Sequence, residues 1–130
     1  MKKKRVFISF DYDHDVDIKN LLVGQSRHPD SPFEIIDMSI KETIAYQWKE
    51  NARRRIKGCD AVIVICGKYT NTATGVNAEI KIAQEENIPY YLLWGRADSV
   101  CVKPTAAKTS DIIYKWTWDR IKLLIEGVHH

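Results

Sequence analysis

One short run in the middle of the chain limits the fold more than any other feature. Asp60 to Cys66 reads DAVIVIC, nearly unbroken in β-branched apolar side chains. A strand with one wet face alternates between apolar and polar residues. A continuous apolar strand is covered on both faces, as in the middle of a parallel sheet with helices above and below. The neighbouring sequence fits. Short apolar runs alternate with amphipathic stretches, the pattern of βαβ units.

Arg5 to Phe10 (RVFISF) predicts the first strand and Phe33 to Asp37 (FEIID) the second. Between them, Ile18, Leu21 and Leu22 at helical spacing predict a helix to about Val23, which Gly24 stops. Ser39 and Glu42 form a capping box that opens a second helix. Its apolar stripe is Ile44, Trp48, Ala52 and Ile56, with Arg53, Arg54 and Arg55 on a solvated flank. Gly58 ends it. A loop from Gly67 to Gly75 leads to a helix from Val76 to about Glu86. Pro89 to Trp94 (PYYLLW) is the fourth strand and Ile112 to Trp116 the fifth. Thr117 caps a last helix through Ile125. Residues 95–110 carry no clear pattern. The aromatics Tyr90, Tyr91, Trp94, Trp116 and Trp118 read as core and edge packing. Five strands with intervening helices predict an α/β fold. It is a flavodoxin-like, doubly wound parallel sheet in the order 2-1-3-4-5.

No linker or repeat divides the 130 residues, so the expectation is one domain over 1–130 with its core at about 5–126. No apolar run approaches the roughly 18 residues of a membrane helix, and no export signal is visible. The net charge of +3 comes from a tail: Lys2 to Arg5 supply four of the 20 basic groups against 17 acids. Without the tail the balance is −1, which points away from nucleic acid. Cys59, Cys66 and Cys101 are odd in number and lack CxxC spacing, so neither a disulfide framework nor a zinc site is expected. Reduced cysteines point to the cytoplasm.

In such a sheet, ligands bind outside the carboxyl ends of the strands, at the switch point between strands 1 and 3. The loops after Phe10, Asp37 and Cys66 converge there. Counting about 100° per residue from Val76 puts Glu79 at about 300°, inside the apolar arc of its helix. A carboxylate there must be paired, face a cavity or take a raised pKa, or else snorkel to water. Asp37 ends strand 2 at the same edge. The acids at 11, 13, 15 and 17 fail the EF-hand pattern, which needs Gly sixth and a carboxylate twelfth, and read mostly as helix caps. His14 beside them reads as a solvated loop residue. No GxSxG, Walker or GxGxxG motif is present. A phospho-receiver of the same fold would need Asp at the end of the central strand, where Cys66-Gly67 stand.

These segments together resemble TIR domains. RVFISFDYDHD resembles their opening strand and loop, FEIID their second strand, and CDAVIVICGKYT their central strand with its exit loop. TGVNAEIKIA resembles the helix that bears the catalytic glutamate of NAD-cleaving members, with Glu79 in that place. The nearest resemblance is to the TIR-like group that includes the TIR component of the Thoeris anti-phage system. It spans about residues 5–126. It implies an enzyme that takes NAD as substrate and not as cofactor. Nicotinamide is released and an ADP-ribose signal, cyclic if the pocket is dry, is made. It implies that Phe10, Asp11 and Asp37 line the nucleotide pocket and that Thr74 contacts a phosphate. It implies no metal, activity upon self-association, and an effector protein that senses the product. Many active members carry Trp three or four residues before the glutamate; here Val76 and Gly75 stand there. A silent interaction module of the same fold is the alternative.

Overall fold

All six residues of the strand Ala61–Cys66 (β3) are buried, as a strand covered on both sides requires. The computed structural model describes residues 4–11, 14–27, 33–38, 47–70, 73–95 and 101–115. The other strands are Lys4–Ser9 (β1), Phe33–Met38 (β2), Tyr90–Trp94 (β4) and Ile113–Lys115 (β5). They form one sheet in the order β2-β1-β3-β4-β5. Every pair is parallel. Class, strand order and strand number are those read from the sequence.

Side chains alternate across the sheet, so each strand feeds two cores. Phe7, Val62, Val64 and Leu92 meet Ala52 and Ile56 of the helix Gln47–Lys57 (α2), and Val76, Ile80 and Ala83 of the helix Thr74–Glu85 (α3). Val6, Ile8, Ile63, Ile65 and Leu93 meet Ile18 and Leu22 of the helix Val16–Ser26 (α1) on the opposite face. Ala52 and Ile56 are the described part of the stripe read from the sequence. The capping box at Ser39 and Glu42 lies outside the described residues, as does the last helix, with Trp116 and Trp118.

Three local readings need correction. Gly24 does not stop α1, which continues to Ser26. A Cβ placed on Gly24 would meet nothing within 4 Å. Glycine there faces open space and costs the helix only about 1 kcal/mol relative to Ala. Ser26 Oγ closes the last turn by donating to Val23 O at 2.7 Å. Second, α3 begins at Thr74, two residues early. Ala73 sits at the cap in extended conformation, and its carbonyl accepts from Asn77 N at 3.1 Å. Third, the arginine flank of α2 is not simply solvated. Arg53 donates to Glu85 and Glu86 at 2.6 Å each, which keeps its guanidinium charged above its ordinary range. Arg55 lies over the Phe7 ring, 5.8 Å from its centroid.

The end of α3 is built by its backbone. Asn87 takes a left-handed φ of 58°. Asn87 N then donates to Gln84 O at 3.3 Å and Ile88 N to Ala83 O at 2.9 Å, the paired bonds of a Schellman cap. The patternless stretch before β5 is fastened to this helix. Ala106 N donates to Asn77 Oδ1 at 2.8 Å, and Gln84 Nε2 reaches Ala106 O at 3.1 Å. Tyr90 Oη donates to Asp111, and Lys108 N bonds the same carboxylate at 2.7 Å.

Candidate active site

Period two decides what the carboxyl end of β1 offers to each face. Phe7 belongs to the α2–α3 core, so Ser9, two residues on, points to the same side. There it meets α3. Glu79 is 1% exposed and Ser9 0% exposed. Ser9 Oγ donates to Glu79 Oε1 at 2.6 Å. A hydroxyl given to a carboxylate at this distance is a strong, charge-assisted bond. The angular count from Val76 thus put Glu79 on the correct side, and its carboxylate is paired within the fold.

Phe10 and Asp11 follow Ser9 and are 2% and 7% exposed. Lys19 Nζ lies 5.7 Å from the Phe10 ring centroid. Asp11 O accepts from Asp15 N at 2.8 Å and from His14 N at 3.2 Å, which turns the chain into α1. Asp11 Oδ2 holds His14 Nδ1 at 2.7 Å. His14 is therefore not simply a solvated loop residue: one ring nitrogen is fixed by a buried carboxylate, and the ring stacks on Tyr69. The centroids are 4.3 Å apart with planes inclined by 33°.

The loop after β3 is locked from below. Gly67 N donates to Thr70 Oγ1 at 2.6 Å, and Ala73 N to Thr70 O at 3.2 Å. The Asp15 carboxylate packs against Gly67, where an added Cβ would fall 2.5 Å from Oδ2. Only glycine allows that approach. Asp15 occupies the cap position of α1 but makes no side-chain capping bond, so helix capping is not its role. Its carboxylate is instead spent on the junction between the two loops. Burial first, then the charges near Cys101 and Asp15, push the Cys66 thiol up to about 12. Such a thiol stays protonated at neutral pH and is a poor nucleophile. All three cysteines are buried and free.

The structure brings Glu79, Phe10 and Asp11 to one edge of the sheet. Thr74 opens α3 at that edge, and Asp37 pairs in register with Phe7. The Asp37 carboxylate and the Thr74 hydroxyl lie outside the described side chains. Among the described residues, no group of three or more His, Cys, Asp or Glu is arranged to hold a metal ion. Sequence reasoning missed Ser9 and Tyr69. The signal for Ser9 was a lone hydroxyl in an otherwise apolar run, RVFISF. Nothing comparable marks Tyr69.

The model of the TIR-like domain of Thoeris protein ThsB matches residues 7–95. The chain belongs to this TIR-like family. The match takes in the end of β1, the Ser9–Glu79 pair, the interlocked loops and β4. No curated protein matches this TIR-like chain. Its fold is similar to the crystal structure of a prokaryotic SEFIR domain. The TM-score is 0.58 at 21% sequence identity, over 98% of this chain and 94% of the other. At that identity the likeness speaks for the fold. No described helix of the TIR-like chain is long and apolar enough to cross a membrane.

Proposed function

We propose that this TIR-like protein cleaves the bond between nicotinamide and ribose in NAD, with Glu79 as the catalytic carboxylate. The observation that carries the reading is a buried glutamate at the carboxyl edge of the sheet, oriented by Ser9, in a chain of the ThsB TIR-like family.

The chemistry needs little more than a placed negative charge. When the glycosidic bond breaks, its electron pair leaves with the nicotinamide nitrogen, and the ribose carbon becomes oxocarbenium-like. A carboxylate beside that carbon stabilises the positive charge or holds a ribose hydroxyl. Ser9 holds Glu79 Oε1 at 2.6 Å and so sets the direction from which the carboxylate meets the sugar. Water attacking the same carbon gives ADP-ribose. A nucleophile from within the molecule gives a cyclic product, and exclusion of water favours that route. We assign the cyclic product to this chain, as a signal in anti-phage defence read by an effector protein in the cytoplasm. Phe10, Asp11 and Asp37 line the nucleotide pocket, and Thr74 sits where a phosphate meets the amides that open α3. Glu79 is covered in the single chain; the reading therefore includes an opening of the site, which we assign to association of copies.

The test is nicotinamide release by the chain and by Glu79→Gln. Mass spectrometry of NAD-derived products follows, from cells expressing the chain, with and without phage. Release that disappears in the variant supports the reading; equal release removes Glu79 from it. The same burial favours a second reading, in which Glu79 serves only to join α3 to β1 and the chain is an interaction module. No release from the unsubstituted chain under assembling conditions selects that one.

A further inference from the structure

Among the described residues, Tyr69 is one of a few large apolar side chains left open, at 52% exposure. The core does not use it. Yet it is not loose. Its loop is fixed by the Gly67–Thr70 bond and by the seating of Asp15 against Gly67. Its ring is stacked on His14, whose imidazole is held by the buried Asp11 carboxylate. His14 is itself about half open, with 48% of its side chain exposed. The result is a pair of flat rings braced from beneath, one from each loop at the switch point.

Their place relative to Glu79 follows from chain reach. Asp11 is two residues beyond Ser9, so their Cα atoms are at most about 7 Å apart. Ser9 touches Glu79 directly. A planar ring bonded to a sugar at Glu79 is therefore within range of the His14–Tyr69 pair. Exposed aromatic rings bind bases by stacking, without regard to their hydrogen-bonding edges. Rings already held in place lose little freedom on binding.

We infer that His14 and Tyr69 form the stacking platform for a planar base of the dinucleotide. This rests on the proposed NAD chemistry and adds a specificity element to it. Position 75, one helical turn before Glu79, carries no side chain. The stacking surface is supplied from the loops after β1 and β3, not from the helix that bears the glutamate.

The experiment is calorimetric titration of NAD, under assembling conditions, into the full chain carrying Glu79→Gln, which is expected to bind without turnover. Tyr69→Ala and Tyr69→Phe are compared in that background. Tyr69 is surface-exposed, and unchanged melting curves confirm that the variants fold. Tyr69→Ala is expected to weaken NAD binding by about fivefold or more, while Tyr69→Phe stays within about twofold. Nicotinamide mononucleotide and adenosine monophosphate, titrated separately, identify the stacked base by which of them Tyr69→Ala weakens. Equal NAD affinity in Tyr69→Ala overturns the platform. If Glu79→Gln then still abolishes nicotinamide release, the NAD-cleaving proposal survives alone. Failure of NAD to bind any form, with no release from the unsubstituted chain, overturns both.

Discussion

The hydroxyl of Ser9 and the carboxylate of Glu79 meet at 2.6 Å although 70 residues separate them. One comes from the last residue of β1, which lies between β2 and β3, and the other from the second turn of α3. Their bond joins the sheet to the helix at the place where the strand order reverses. Ser9→Ala leaves the buried carboxylate without this donor and is expected to cost about 1–3 kcal/mol in denaturant unfolding. Glu79→Gln keeps an oxygen for Ser9 and is expected to cost about 1 kcal/mol or less, while nicotinamide release is lost. A Glu79→Gln variant that unfolds far more readily marks the pair as mainly structural.

Gly67→Ala drives a methyl group to 2.5 Å from Asp15 Oδ2 and 2.6 Å from Oδ1. Relief requires moving a buried carboxylate or the loop that carries it. The expected loss is about 1–3 kcal/mol, as for overpacking elsewhere. Asp15→Ala in the same chain removes the obstructing atoms. The double variant is then less damaged than the two single losses combined, and that non-additivity, measured by urea unfolding, is the check.

Alkaline pH should loosen the fold. Cys66 is held at about 12 against an ordinary 9.0. Above pH 9 the unfolded chain gives up this proton and the folded chain keeps it. The contribution is therefore intact below pH 9 and lost progressively as pH rises towards 12, by a few kcal/mol at the limit. Tyr90 and Tyr91, both raised chiefly by burial, act in the same direction. In stability measured from pH 8 to 11, Cys66→Ala should show a shallower decline than the unsubstituted chain. An identical slope would mean that the thiol ionises freely in the native state.

At Asn87 the backbone has φ of 58°, where a β-branched side chain is strained. Asn87→Val should destabilise by about 1–2 kcal/mol and Asn87→Gly should be neutral or stabilising. Thermal melts of the two variants decide this. Equal melting temperatures would mean that the chain after α3 readily takes another path.

Tyr90→Phe removes one hydroxyl that both donates to Asp111 and accepts from Gln84 Nε2 at 3.0 Å. The expected cost is about 1 kcal/mol. Faster amide exchange is expected at residues 106–111, with β3 unaffected. Uniform acceleration across the sheet would instead indicate a global effect.

The fold was legible because its strongest signal was local. DAVIVIC reads as a strand buried on both faces, which placed it at the centre of the sheet, and the flanking strands and helices followed from spacing. Glu79 was legible for a related reason: a charged residue within an apolar arc needs a partner or a cavity. Its partner was not legible, because Ser9 looks like any small polar residue until the sheet and α3 are brought together. Gly24 misled because a glycine facing solvent barely perturbs a helix. Arg53 misled because its partners, Glu85 and Glu86, lie on another helix. The stretch from Cys101 to Asp111 showed no periodicity because side-chain bonds hold it, and those follow no repeat.

Asn77 and Gln84 grip that last stretch by the amide and carbonyl of Ala106. They read its peptide group and ignore its side chain. Ala106 and Ala107 also rest against the core, so it is the exposed positions 105 and 108–110 whose spelling is free to drift through evolution, whereas the number of residues is not. A single insertion or deletion there would slide the wrong peptide unit under both amides of α3, so related chains should differ in letters at this point far more often than in length.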